Sequence, residues 1–314
     1  MADEIYIKHN LGSFQQPYIF QQPGIGQTPA IGTTRYPFIG NTRQPNTYTF
    51  PATYNIQTSV NYQTPFTYDI QTTGNFEIII ADDGSDEATR RVIEDFKKST
   101  SLKIIHLWQE DDGFQKTKVL NKAIVASKTD YLIFTDGDCI ARNDFVETHL
   151  KLRKPNLALS GGYFKLTESI SFKMNKDIVE SQKCFDMDWL LEQGQPKSFK
   201  LNKLTKSRHK ASILNHITPT KATFDGMNVS CWKNDILAVN GFDERMEYGG
   251  EDREVGERMM NNGVRFKQAR YSTICVHLYH DRPYKNKNAE VLNLQIRQET
   301  KKNKSTYTKF GIFK

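Results

Sequence analysis

Four groups of residues in this sequence have the types and spacing to do chemistry. Asp82-Asp83 follows the apolar run FEIIIA, and Asp136-Gly137-Asp138 follows YLIFT. Carboxylates one residue apart can hold a hard divalent cation, Mn²⁺ or Mg²⁺, and leave positions open for the oxygens of a diphosphate. Glu251-Asp252 stands after two glycines in YGGEDREVGERMMNNG. The glycines let the backbone approach a ligand, and a carboxylate at a helix start stays ionised, which suits a base that takes a proton from a hydroxyl. His277 and His280, in VHLYHDRP, can complete a metal shell begun by aspartates. Each group also has an ordinary structural reading: DDGSD and ED as helix starts, an isolated Asp-x-Asp as chance, a lone histidine as a packing residue.

The elements that would carry these groups are legible from periodicity. FEIIIA, LKIIHL (residues 102 to 107) and YLIFT (131 to 135) are short apolar runs, the pattern of buried strands. Between them, Ala88, Val92, Ile93 and Phe96 mark one helix face, and Val119, Leu120, Ala123 and Ile124 mark another. Ser85 is placed to cap the first of these helices, with Asp86 and Glu87 in its first turn. Val255 and Met259 give the segment after Glu251-Asp252 a helical stripe. Strands alternating with helices predict a doubly wound sheet, with ligands at the C-terminal strand ends, where both aspartate pairs fall.

The remaining composition bounds the reading. A chain of 314 residues suffices for a large α/β domain, and its mean hydropathy of −0.63 is that of a water-soluble protein. There is no apolar run of membrane-spanning length and no secretory pattern in MADEIYIKHN, so a cytoplasmic location is expected. Cys139, Cys184, Cys231 and Cys275 lack CxxC spacing and read as free thiols. A net charge of +7 suits an anionic partner such as a nucleotide, but no nucleic-acid motif accompanies it. Residues 1–73 differ in kind, with seven of the 11 prolines and seven of the 14 tyrosines in recurring phrases such as FQQPYIFQQP and YQTPFTYDIQT. They predict an extended or disordered leader and resemble repeats of some marine phage structural proteins, which would make a virion-associated location an alternative. Residues 286–314 read as a basic C-terminal tail.

From Phe76 to about Tyr284 the sequence resembles family 2 glycosyltransferases of the GT-A fold, with a later section similar to the galactosyltransferase and chondroitin-polymerase type. The phrases FEIIIADDGSDEATRRVIEDF, HLWQEDDGFQKTKVLNKAI, DYLIFTDGDCIARNDFVETHL, GMNVSCWKNDILAVNGFDERMEYGGEDREVGERMMNNGV and CVHLYHDRP carry the likeness, in the family's order and spacing. The resemblance implies a GT-A-like doubly wound mixed sheet and inverting transfer from a nucleotide-sugar donor, UDP-linked by expectation, to a glycan or lipid-linked glycan acceptor. It implies Asp82 and Asp83 beside the nucleoside, Asp136 and Asp138 on metal and diphosphate, and His280 as a metal ligand with His277 as its substitute. Asp252 would be the base, Glu251 would hold a sugar, and Lys118 would face a donor phosphate. Trp232 and Tyr248 are placed either to stack on sugars or simply to pack.

The sequence departs from the family at its start. Members begin with a strand ending in a Thr-Tyr-Asn-like phrase about 30 residues before DDGS, and the leader's repeats occupy that place. The usual first strand is therefore expected to be missing, supplied by the leader with FTYDI as the nearest candidate, or supplied by a partner chain. Residues 165–222 match the family least and contain KSFKLNKLTKSRHK, where acceptor recognition or peripheral contact with an anionic membrane surface is expected. Two other readings stand beside the enzyme: a phage-associated adhesion protein whose domain binds sugars without turnover, and, ranked last, a phosphatase built on TDGDC.

Overall fold

Ile78 to Ala81 are buried completely or nearly so, which requires cover on both faces of the strand that carries them. A seven-stranded sheet provides this, in the order β3-β2-β1-β4-β8-β6-β9. The computed structural model describes residues 3–9, 65–74, 76–280 and 286–314. The strands are β1 (Asp3–His9), β2 (Phe76–Asp83), β3 (Lys103–Gln109), β4 (Tyr131–Asp136), β6 (Leu157–Ser160), β8 (Asn228–Trp232) and β9 (Arg265–Gln268). A second sheet orders β5 (Cys139–Ala141), β10 (Ile274–His277) and β7 (Gly162–Lys165) as β5-β10-β7. β1 to β4 run parallel, while β8 is antiparallel to both β4 and β6, so the sheet is mixed and doubly wound as expected.

The first strand is present, and it comes from the far end of the leader. β1 lies between β2 and β4, pairing Tyr6 with Ile79 on one side and with Phe134 on the other. FTYDI does not supply it. Pro65–Tyr68 forms a 3-10 turn, and Tyr68 is buried beside the Phe76, Ile78 and Phe145 cluster. The Thr67 hydroxyl donates to the Ala141 carbonyl at 2.6 Å. The folded body therefore includes residues 3–9 and extends upstream of Gly74. The Pro/Tyr repeats between these segments lie outside the described residues.

Helices cover both faces. α1 (Glu87–Ser99) and α3 (Phe145–Leu152) meet one core, in which Ile93, Phe96 and Phe145 pack against Ile78 and Ile80. Asp86, rather than Ser85, caps α1 by accepting from the Thr89 N–H at 3.0 Å. Ser85 is occupied elsewhere, its N–H bound to Asp82 at 2.9 Å. α2 (Lys116–Ala126), α8 (Lys233–Ala238) and α9 (Glu251–Asn261) share the opposite core, where Val119, Leu120, Ala123, Ile124, Val255 and Met259 are buried as their spacing predicts. The smaller sheet has its own core with α4 (Glu168–Ser171), α5 (Lys176–Glu180) and α6 (Met187–Glu192), and α7 (Arg208–Ile217) follows.

Residues 286–314 form no loose tail. α10 (Lys287–Lys302) packs along α9, with Arg297 paired to Glu257 and Thr300 donating to Glu254 at 2.8 Å. The segment after it returns to the core: Ile312 joins the main cluster, and the Asn240 amide donates to the carbonyls of Thr308 and Phe313. All four cysteines are free and buried. Among the described residues no helix is long and apolar enough to cross a membrane.

Candidate active site

The C-terminal ends of β2 and β4 deliver Asp82, Asp83 and Asp136 to one edge of the sheet, with β1 between them: His9 is in register with Asp82, and Lys8 with Asp136. Asp82 is buried and takes hydrogen bonds from the Ser85 N–H and, at 2.8 Å, from His106 Nε2. Burial pushes its carboxyl up, but these bonds outweigh burial and hold it below the usual range. Asp83 accepts from Gln109 Nε2 at 2.6 Å and from the Gln115 N–H at 2.8 Å; burial nevertheless raises it. The pair thus ties β3 and the start of α2 to the strand end.

Beyond Asp136 the chain turns into β5, and the antiparallel pairing of β5 with β10 sets Cys139 opposite His277. Asp138 therefore meets both histidines, with its Oδ2 3.4 Å from His277 Nε2 and 3.2 Å from His280 Nε2. The rings stack with centroids 5.3 Å apart. His277 Nδ1 lies 2.6 Å from the Leu278 carbonyl, which can only accept, so Nδ1 carries a proton and donates it there, and Nε2 is the nitrogen that faces Asp138. One carboxylate oxygen and two imidazole nitrogens within 4.8 Å of one another form a donor set that fits a divalent cation such as Mn²⁺. Of the metal ligands expected from sequence, Asp138 and His280 belong to this triplet. His277 completes it, and Asp136 lies outside it.

The second half of the site is built at the start of α9. Gly249 and Gly250 have φ of 112° and 94°, a left-handed path that side-chain-bearing residues avoid, and they turn the chain so that Glu251 and Asp252 begin the helix. Glu251 is buried, held by the Gly249 N–H at 3.1 Å and by Lys116 Nζ at 3.0 Å. Asp252 accepts from the Gly226 N–H at 3.1 Å and the Arg253 N–H at 2.7 Å. Burial, with Glu251 and Asp225 adding negative charge, pushes the Asp252 carboxyl up to about 7. Asp225 is likewise raised, by burial first and then by Asp136.

Two members of this cluster escape the sequence motifs. Lys116, not Lys118, is the lysine at the carboxylates: burial works against its charge, but Glu251, Asp136 and Asp252 together raise it. Lys118 lies two residues on, half-buried on the same helix. Asp225 stands one residue before the phrase GMNVSCW, so its position in sequence was the available signal. Trp232 is not brought to the site. It ends β8 opposite Tyr131, at the start of β4, and packs on that ring at 5.1 Å while its indole N–H donates to the Lys154 carbonyl. Tyr248 stays near the site, edge-on to Phe114 at 5.7 Å, and Phe114 in turn lies 5.8 Å from Lys116 Nζ.

Two family models match consecutive stretches of this chain: glycosyl transferase family 2 over residues 55–206, and the N-terminal domain of galactosyltransferase over residues 206–281. Over residues 55–206, just under half of its length, the chain is similar to family 2 glycosyltransferases. The boundary between the two matches falls just before α7, so the aspartates of β2 and β4 lie in the first and Glu251, Asp252 and the histidines in the second. Chondroitin synthase of Escherichia coli is 27% identical over 61% of this chain and 29% of its own length. The uncharacterized glycosyltransferase YfnE of Bacillus subtilis is 26% identical over 65% of this chain and 57% of its own. The chain therefore spans well under two thirds of these relatives. A mannosyltransferase from Pyrobaculum calidifontis, solved with GDP-Man and Mn²⁺, superposes with a TM-score of 0.47 at 16% identity, covering 74% of this chain and 56% of that one.

Proposed function

We propose that this glycosyltransferase domain moves a sugar from a nucleotide-sugar donor, UDP-linked by preference, to a hydroxyl of a glycan acceptor, with inversion at the anomeric carbon. The observation that carries the reading is the meeting of two units at one sheet edge: a carboxylate raised to about 7 at Asp252, and the divalent-cation donor set of Asp138, His277 and His280.

Asp252 is suited to the base's role because its proton affinity lies near neutrality, where it can take a proton and release it again. It would deprotonate the acceptor hydroxyl; the oxygen forms its bond to the anomeric carbon as the bond to the diphosphate breaks, and the nucleoside diphosphate leaves with the electron pair. Glu251, immobilised by Lys116 and the Gly249 N–H, would orient a sugar hydroxyl. Asp82 and Asp83, fixed by His106, Ser85, Gln109 and Gln115, would border the nucleoside. A divalent cation held by Asp138, His277 and His280 would supply neutralising charge for the diphosphate.

The test is thermal stabilisation by UDP with and without Mn²⁺. The wild type should gain several degrees only when both are present, and Asp138→Ala should lose that gain while keeping its own unfolding cooperative. No shift with any nucleoside diphosphate would overturn the reading and favour a domain without turnover.

A further inference from the structure

A second cavity, of about 480 Å³, opens away from the carboxylate cluster, between α3, α7 and the turn joining β9 to β10. Five Lys or Arg residues line it against a single carboxylate, Asp144, and its only apolar lining side chains are Leu152 and Ala211. Arg142 forms an ordered floor. Its guanidinium is paired with Asp144 at 2.6 and 3.0 Å and donates to the carbonyls of Thr205 and Ser272 at 3.1 and 2.8 Å, tying three walls together. Lys151 is paired with Glu147. Lys206, Arg208 and Lys267 are exposed at the cavity and form no ion pair among the described residues. Hydroxyl and amide groups of Thr148, Ser212, Asn215 and Gln268 fill the intervals. No Phe, Tyr or Trp ring lines it, and its one imidazole is that of His216.

The segment that builds this cavity also reaches the active site. Just upstream, Lys203 donates to the Tyr163 carbonyl at 2.9 Å and sits 5.0 Å over the Tyr163 ring, which lies 6.0 Å from the ring of His277. Downstream, the chain leaves α7 at Ile217 and arrives at Asp225, with the Thr223 N–H held by the Ser160 hydroxyl at 3.3 Å. Arg270 acts electrostatically on both Lys203 and Asp225, so cationic groups continue from the catalytic edge toward the cavity.

We infer that the cavity binds an anionic stretch of the acceptor saccharide, its acidic groups meeting Lys206, Arg208 and Lys267 and its hydroxyls meeting the Ser, Thr and Asn side chains, while the chain end lies at Asp252. This rests on the glycosyltransfer reading for the identity of the ligand as acceptor. A volume of this size suits a few sugar units, and a half-open concave site lined by Lys, Arg, Ser, Thr and Asn side chains suits a saccharide better than a flat membrane surface.

The test is calorimetric titration of the full chain at low salt with tetragalacturonate, its neutral methyl ester, and inorganic phosphate. Tetragalacturonate should bind at least tenfold tighter than the ester. The exposed triple variant Lys206→Ala/Arg208→Ala/Lys267→Ala should lose at least tenfold of that affinity, with its response to UDP and Mn²⁺ unchanged. Lys98→Ala/Lys302→Ala/Lys309→Ala, which removes the same charge elsewhere, should bind as the wild type does. The inference is overturned by no binding, by equal binding of the ester, or by equal losses in both triple variants. Phosphate binding as tightly as tetragalacturonate and competing with it would make the cavity a bare anion site and overturn it too. Failure of the wild type to respond to UDP would sink the transfer reading separately, because the saccharide titration needs no donor.

Discussion

Asp252 sits in a conflict between function and stability. Its carboxyl is raised in the folded chain to about 7, whereas an unfolded aspartate titrates near ~3.9. The folded state therefore binds the extra proton between these values, and stability falls as pH rises through that window. Asp252→Asn removes the penalty while leaving an oxygen to accept from Gly226. We expect it to stabilise the protein at pH 8 by roughly 1–3 kcal/mol, with the gain vanishing toward pH 4, as measured by denaturant unfolding at the two pH values. The same variant should lose transfer by a factor of at least ~100, the scale of general-base removal, and wild-type turnover should rise with pH through about 7. At this scale the sequence was informative about which residues meet where motifs name both, as with Asp138 and His280. It was not where only packing selects one: Lys116 rather than Lys118 faces Glu251 because the helix turns it inward.

Asn228, at the start of β8, joins the two sheets. Its buried amide donates to the carbonyls of Gly162 at 2.6 Å and Thr273 at 3.1 Å, and its oxygen lies 3.0 Å from His149 Nε2. Burial drives the His149 proton affinity down to about 3 despite that bond, so a neutral imidazole completes the network. Asn228→Ala takes a donor from the Gly162 and Thr273 carbonyls, the second of which keeps the Gly162 N–H, and removes the partner of His149 Nε2, an expected cost of about 2–4 kcal/mol in chemical denaturation. Because β10 carries His277, the variant should also loosen the Asp138 triplet and weaken any UDP-dependent stabilisation by Mn²⁺. An Asn228→Ala protein as stable as the wild type would refute this coupling. Element types were readable from periodicity at β2, β4, α2 and α9, since an apolar strand or stripe must be buried somewhere. The antiparallel pairing of β5 with β10 has no such local signature, and it alone brings His277 to Asp138.

The whole sheet depends on a strand remote in sequence. β1 fills the space between β2 and β4, and removing it would leave two central strands with unpaired backbone N–H and carbonyl groups. Deleting residues 1–9 should abolish cooperative thermal unfolding, and Tyr6→Pro, which puts a proline into the centre of the sheet, should do much the same. A deletion variant that melts at the wild-type temperature would show that the strand contributes nothing. At the other end, α10 and the returning segment cover α9 and Asn240, so a stretch that composition marks as a basic tail is part of the wall behind Glu251.

By itself the sequence determined the fold class, the burial of the apolar strands β2 and β4, and the carboxylates at the sheet's C-terminal edge. These follow from local periodicity and from motifs whose chemistry is carried by adjacent residues. β3, expected to be buried, forms the half-exposed edge strand, because only one of its sides has a neighbour. Only the tertiary structure decided which segment is the first strand, which lysine neutralises Glu251, and that Trp232 belongs to packing at the opposite edge. It also assembled the cationic cavity from α3, α7 and the β9–β10 turn, which are far apart in sequence. Those features depend on which strand ends and helix faces meet in space, and pairing between distant segments leaves no period in the chain from which to read it.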